Sequence, residues 1–318
     1  MAYTTTDLLA AIKRRAQLPA ANGALSDADL LDLATLAMRT QVQPLLRSLR
    51  EDYSVVVQRQ AIVADRRTYP IPSRAEGGAV RDLWMVRIAE PQTEVRVPYI
   101  PPEDRPMYQS VRSQWWDGIG AYTVEGNDIW LSPIPSGVEA QYTLSIRYYL
   151  RPGRFVPTSD CMEVISWSAG PTTVVTVDTV GSYTTSSRVD IIGGAPPFRP
   201  RAIDIGLDGV STGPDQLTII PADYEGFIED GTTGDYVCET DTTCVVTCPV
   251  EAQEALIAAT VASVYEVLGY ERELSVAVAM RDTAMQAVRV LMEPRTEGAS
   301  RVLLDPRSPL RRGRRSSW

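Results

Sequence analysis

Residues 121–153 read AYTVEGNDIWLSPIPSGVEAQYTLSIRYYLRPG, and the period of this passage decides the fold class. Apolar and polar side chains alternate on either side of EGND (125–128), a tight-turn sequence in which Gly126 and Asn127 tolerate positive φ. PIPSG (133–137) then leads into a longer strand whose Tyr142, Leu144, Ile146 and Tyr148 share one face. Three strands joined by short connections make an antiparallel meander.

Toward the N-terminus the two-residue period continues through SVVVQRQAIV (54–63), RTYPIP (67–72) and DLWMVRIA (82–89), which read as further strands. PPEDRPMYQSVRSQWW (101–116) opens on prolines and acids, as a short helix does. Before residue 54 the period is helical. A first helix is expected from about Thr6 to Gln17, capped by Thr5 or Thr6, with Asp7 near its positive end and Pro19 closing it. Ser26 and Asp29 then make an S-x-x-D capping pattern. Leu30, Leu33, Ala34, Ala37, Gln41 and Leu45 follow at helical spacing to about Asp52, with a kink expected at Pro44.

Toward the C-terminus the composition shifts. Residues 156–248 hold fifteen threonines, many Gly and Pro, and short segments such as CMEVISW, TTVVTV, RVDII and QLTII between turn signals. Strands this short at this spacing indicate a small sandwich or barrel-like β domain, inserted because no helical period interrupts it. Helix returns at Pro249 and stops at Gly269. A second closing helix, about Glu271 to Glu293, places Ala277, Met280, Ala284, Ala287 and Leu291 on one face, flanked by Leu274, Val278, Met285, Val288 and Met292. An apolar arc so wide implies more than one neighbour, from the chain's own body, from an adjoining subunit, or both. From Pro294 onward, PRTEGASRVLLDPRSPLRRGRRSSW has one apolar cluster, Val302 to Leu304, too little to offset the entropy of ordering.

The fold expected is α+β: a helical body with an antiparallel β meander, an inserted all-β domain and an extended C-terminal arm. Residues 1–155 form the first part of the body, 156–248 the acidic threonine-rich insertion, 249–293 the closing helices and 294–318 the arm.

Charge is uneven along the 318 residues, whose formal net is -9. The arm carries seven arginines against Glu297 and Asp305, a net of +5, whereas residues 156–248 carry three arginines against fourteen acids, a net of -11. Such an acidic block is a solvated β surface or one kept repulsive toward nucleic acid. MAYTTTDLLAAIKRR has no apolar core of signal-peptide type, and no stretch approaches the ~18 uninterrupted apolar residues of a membrane span, so a soluble protein made in a cytoplasm is expected.

The chain has no histidine, which excludes Ser/His/Asp triads, Cys/His dyads and His-based metal sites. Cys238, Cys244 and Cys248 are spaced C-x5-C-x3-C, unlike the paired knuckles of a zinc ribbon; with Cys161 they read as reduced thiols, a hairpin bridge from Cys238 to Cys244 or Cys248 being the other reading. No P-loop, G-x-S-x-G elbow, H-E-x-x-H or calcium loop is present, and GIG (118–120) precedes strand rather than helix. Glu229 with Asp230, or Asp204 with Asp208, are carboxylate pairs that an acidic domain supplies by chance, and DGTTGD (230–235) is more simply a turn than a Ca²⁺ loop. No enzyme, cofactor or metal is expected.

Two N-terminal helices, a strand passage carrying GNDIWLSP and YYLRPG, a β insertion, two closing helices and a nonglobular tail together resemble the head-to-tail adaptor (connector) proteins of tailed bacteriophages, especially the portal-bound ring adaptors of short-tailed phages. Residues 1–155 and 249–318 carry the resemblance. It implies a virion component at the head-tail connector, assembled in the host cytoplasm as a homo-oligomeric ring, typically of twelve copies. DNA would pass through its channel without specific binding, with the portal protein above, a tail or nozzle protein below, and no membrane. In that setting the arm docks on the portal. Arg295, Arg301, Arg307, Arg311, Arg312, Arg314 and Arg315 suit carboxylates there, and Val302, Leu303, Leu304, Leu310 and Trp318 serve as apolar anchors. The closing helix with Ala277, Met280, Ala284, Ala287 and Leu291 is the expected subunit interface. Two other readings compete: a packaging or virion protein whose RRGRR grips nucleic acid, and a tail component with a β domain for attachment.

Overall fold

Capping chemistry sets the first two helices. In the computed structural model, which describes residues 3–18, 24–108, 119–135, 141–168, 173–180, 183–195, 200–212, 215–219 and 232–292, helix α1 spans Thr5–Arg15 and α2 spans Asp27–Ala37. The Thr4 N–H donates to the Asp7 carboxylate at 3.0 Å, so the cap falls one residue earlier than expected. At α2, Ser26 and Asp29 exchange bonds: the Ser26 N–H donates to the carboxylate at 2.8 Å and the Asp29 N–H to the Ser26 hydroxyl at 3.2 Å.

The expected break at Pro44 takes a specific form. After α2 the chain widens into a π turn, Met38–Val42, before α3 (Gln43–Leu49), in which Pro44 occupies the first turn. The proline has no N–H to give the preceding turn, and one extra residue per turn absorbs the mismatch without ending the helix.

Strands β1 (Val55–Ala61), β2 (Thr68–Pro70), β3 (Ala75–Arg87) and β4 (Glu90–Val97) follow, then a short helix α4 (Arg105–Tyr108), and β5 (Ala121–Glu125), β6 (Asp128–Ser132) and β7 (Tyr142–Leu150). Gly126, at φ 62°, makes the β5–β6 turn. The strands do not form one meander. They divide into a four-stranded antiparallel sheet of order β1-β7-β3-β4 and a three-stranded sheet of order β2-β6-β5. The two share one core, with Leu83, Leu144 and Ile146 from the first meeting Tyr69, Ile129 and Leu131 from the second. Strand β7 lies between β1 and β3 rather than beside β6, and it is buried on both faces, with Leu144, Ile146 and Tyr148 on one and Ser145 and Tyr149 on the other.

The next segment forms β8 (Arg154–Phe155), β9 (Met162–Ser168), β10 (Thr173–Val177), β11 (Arg188–Ile192), β12 (Pro200–Thr212), β13 (Asp215–Ile219), β14 (Tyr236–Glu239) and β15 (Thr242–Thr243). Six of these close into a barrel of order β10-β13-β12-β11-β14-β9, filled by residues such as Val164, Val175, Val189, Ile205, Leu217 and Val237. Closure removes the exposed edges that a short-stranded sheet would otherwise present. Parallel pairing of β15 with β8 holds together the segments leading into and out of the barrel.

Helices α5 (Val250–Leu268) and α6 (Glu271–Met292) close the chain as a hairpin. Gly269 ends α5 in the left-handed conformation, φ 73°, where a Cβ would be strained. Ala255, Leu256, Ala259 and Ala262 of α5 join Leu8, Ile12, Leu30, Ala34 and Leu46 in a helical core. Among the described residues no helix is long and apolar enough to cross a membrane.

Candidate functional site

Helix α6 has two apolar faces with different fates. Leu274, Ala277, Val278, Ala284, Met285, Val288 and Met292 pack on the helical core. Opposite them Val276, Met280, Val290 and Leu291 stand 57%, 49%, 61% and 63% exposed, with Ala287 also exposed between them. The steps from 276 to 280, 287 and 291 are multiples of the helical repeat, so these side chains form one stripe along a helix ~33 Å long. Of the residues expected to form an interface, Met280, Ala287 and Leu291 therefore face solvent, Ala284 is half-buried, and Ala277 is buried against its own chain. Val276 and Val290 belong to the exposed stripe and were not singled out; because both arcs of α6 are apolar, periodicity alone does not separate inside from outside. Near the hairpin turn Val267 and Tyr270 are also exposed, at 59% and 51%. Beside it a groove of ≈ 310 Å³ opens between the end of α1, α5 and α6, floored by Ala258, Val261 and Ala277 and rimmed by Arg15, Arg272 and Glu273.

The second feature is the seam joining helices, sheets and barrel, built largely by residues 151–156, RPGRFV. Arg151 pairs with Asp241 at 3.2 Å; the Pro152 carbonyl accepts from Arg39 Nε at 3.0 Å; Arg154 forks onto Asp32 of α2 at 2.8 and 3.0 Å. Phe155 fills the helical core while its N–H donates to Thr35 Oγ1 at 2.9 Å, and the Val156 carbonyl accepts from Thr5 Oγ1 at 2.8 Å. Gly153 sits at a close approach: a Cβ there would lie 3.3 Å from both the Asp241 carbonyl oxygen and the Thr242 carbonyl carbon, tighter than most Cβ contacts.

Under this seam lies a buried ion pair. Arg74, at the foot of β3, meets Asp190 of barrel strand β11 through its guanidinium, the two being 5% and 1% exposed. The Asp190 carboxylate also accepts the N–H groups of Asp204 (2.7 Å) and Asp241 (3.1 Å). Burial nevertheless raises its pKa, against the opposing pull of Arg74. Arg74 Nε lies 3.1 Å from Asp241 Oδ1, out of line for a hydrogen bond, so that contact is purely electrostatic. The pair joins residues 116 apart in sequence, and nothing in the sequence around either one signals it.

Beside the seam the thiols of Cys161, Cys238 and Cys244 converge, their sulfurs all within 4.8 Å of one another. All four cysteines are free thiols, Cys238 Sγ lying 3.9 Å from Cys244 Sγ, and Cys248 stands apart in the helical core. Hydrogen bonds from Cys161 and then Cys238 bring the Cys244 pKa down to about 5, whereas burial pushes the Cys248 thiol up to about 12. The C-x5-C-x3-C spacing concealed this group, because its third member comes from 77 residues upstream of Cys238.

Of the weaker chemical candidates, Asp204 is tied to Arg188 at 2.6 Å and Asp208 is exposed on β12, while Glu229 and Asp230 lie outside the described residues. Asp235 of the DGTTGD turn is consumed structurally, accepting the Gly194 and Thr232 N–H groups at 3.0 and 2.7 Å and pairing with Arg201 at 2.8 Å. The arm, with Arg295, Arg301, Val302, Leu303, Leu304, Arg307, Leu310, Arg311, Arg312, Arg314, Arg315 and Trp318, lies outside the described residues.

A family model described as SU10 adaptor protein matches residues 3–183, more than half of the chain. The match takes in α1 to α3, both sheets, the RPGRFV seam and the first two barrel strands; α5 and α6, counted above in the resemblance, lie beyond it. No curated protein matches the chain.

Proposed function

The chain belongs to the SU10 adaptor protein family, phage structural proteins of the head-to-tail adaptor kind, and from that premise we propose that it assembles side by side into a ring below the portal. The observation that carries the proposal is the solvent-facing stripe Val276, Met280, Ala287, Val290 and Leu291, whose four larger side chains are each about half or more exposed among the described residues. An exposed apolar stripe of this kind, interrupted only by Thr283, marks a contact surface. By itself the stripe is smaller than a standard subunit interface, so a neighbour would have to cover adjoining surface as well. A helix ~33 Å long and ~10 Å wide presents on the order of 330 Å², less than half of the ~800 Å² each partner contributes to a standard interface. The adjoining groove, which Val276 and Met280 also line, and the exposed Val267 and Tyr270 are further apolar surface on the closing helices.

In this reading the arm, residues 294–318, docks on the portal and orders as it binds. Its seven arginines pair with carboxylates, and Val302, Leu303, Leu304, Leu310 and Trp318 anchor it. Repeated around a ring, individually weak arms become a lasting joint. The acidic barrel faces the next tail component, and the chain's negative charge keeps passing DNA from adhering. The protein's part is structural, and no catalytic step is assigned to it.

Deletion of residues 294–318 tests the arm. The truncated protein is expected to fold and assemble as before but to lose binding to purified portal rings. Undiminished portal binding refutes the arm's role. Duplex-DNA binding by the whole protein that falls steeply with salt would favour the nucleic-acid reading instead.

A further inference from the structure

We infer that Cys161, Cys238 and Cys244 form a binding site for a thiophilic d10 cation, zinc by class, that fastens the barrel to the helical body. Three observations carry this, none dependent on how the protein assembles.

The first is geometry. Zinc–thiolate bonds of ~2.3 Å place sulfurs ~3.8–4.0 Å apart in tetrahedral or trigonal sites. Cys238 and Cys244 already stand 3.9 Å apart, and the whole trio lies within 4.8 Å, so closing on an ion requires side-chain movements of well under an ångström at each sulfur. The three converge from separate places: Cys161 just before β9, Cys238 in β14, Cys244 just after β15. They meet in a small apolar cluster with Ile192 and Val245, so three of the chain's four cysteines share one point.

The second is access. Cys161 also lines an open cavity of ≈ 900 Å³ whose wall includes Asp160, Asp178, Glu239 and Arg188. Three carboxylates against one guanidinium favour a cation at the mouth, and the cavity can supply water as a fourth ligand to an otherwise three-sulfur site. Cys248, buried in the helical core, does not line this cavity.

The third is position. Cys161 lies where the chain enters the barrel, and Cys238 and Cys244 where it leaves. The segment after β15 in turn holds the N-terminus: the Thr5 N–H donates to the Cys244 carbonyl at 2.8 Å and the Val246 N–H to the Tyr3 carbonyl at 3.0 Å. Three metal–sulfur bonds here cross-link both connections of the barrel beside α1. On binding, those sulfurs that are still protonated release their protons to solvent as the metal–sulfur bonds form, with no change in oxidation state.

The test uses the reduced, chelator-treated full-length protein titrated with Cd²⁺ as a spectroscopic stand-in for zinc. One equivalent is expected to produce the ultraviolet charge-transfer absorption of three cadmium–thiolate bonds, in the wild type and in Cys248→Ala alike. Cys161→Ser is expected to weaken binding by at least ~100-fold. Absence of the absorption in the wild type, or its survival unchanged in Cys161→Ser, overturns the inference. Should Cys161→Ser fail to fold, alkylation of the wild type read by mass spectrometry decides. Zinc must slow labelling of Cys161, Cys238 and Cys244 together and leave Cys248 unaffected; slowing none of them, or all four equally, overturns it.

Discussion

Replacing Arg74 by Met should loosen the barrel without disturbing its interior. Met keeps most of the aliphatic stem but leaves Asp190, 1% exposed, without the guanidinium beside it. Removing one partner of a buried ion pair costs 3–5 kcal/mol as a rule; Asp190 keeps its two backbone N–H donors, so about 3 kcal/mol is expected here. At ~1.4 kcal/mol per tenfold, that is roughly a hundredfold in the folding equilibrium. The loss must also depend on pH. Asp190 already has a raised pKa from burial, and losing Arg74 raises it further, so the native state holds this proton to higher pH than the unfolded chain does. Between those two values the native state binds more protons, and stability falls as pH rises. The deficit of Arg74→Met relative to wild type is therefore largest near neutrality and shrinks as pH falls toward the ordinary carboxylate range. Urea unfolding of both proteins at about pH 7 and about pH 5 measures this. A deficit below ~1 kcal/mol, or one equal at both pH values, would refute the reasoning.

Asp29 supplies the opposite sign. Bonds from the Ser26 hydroxyl and backbone hold its carboxyl below the usual range, so Asp29→Asn should lower the melting temperature at neutral pH, with the difference vanishing as pH falls below that range. Gly153→Ala places a Cβ 3.3 Å from backbone atoms of Asp241 and Thr242 that β8–β15 pairing keeps from yielding; a loss of about 1–3 kcal/mol in urea unfolding is expected, and a neutral result would show the seam to be slack. Met280→Glu and Leu291→Glu, both on the exposed stripe, should leave far-UV circular dichroism unchanged while sedimentation shows rings giving way to smaller species.

Local chemistry made much of this fold legible. The Ser26–Asp29 exchange, the Gly269 stop, the Gly126 turn and the alternation of β7 each follow from a few neighbouring residues. The Thr-rich insertion announced short strands, and its closure into a barrel completes what the composition implied. What was not legible depends on contacts between distant residues. Nothing in β7 itself says that it inserts between β1 and β3, since its alternation would equally suit a hairpin edge. Arg74 and Asp190 are ordinary surface residue types until folding buries them together. The π turn at Pro44 is one of several ways a helix can absorb a proline. Cys161 joins Cys238 and Cys244 only because the barrel returns the chain to its starting point. On α6, the choice between Ala277 and Val276 as the outward residue is a matter of helix rotation, which packing on α5 fixes and composition does not.

We propose that this adaptor sits as a ring between portal and tail. Electron microscopy of intact virions, with the density at the head-tail junction compared to this fold, tests it most directly. A ring of copies immediately below the portal is expected, α6 of each against its neighbour and residues 294–318 rising onto the portal. Copies located only at the distal end of the tail, or single copies with α6 facing solvent, would contradict it.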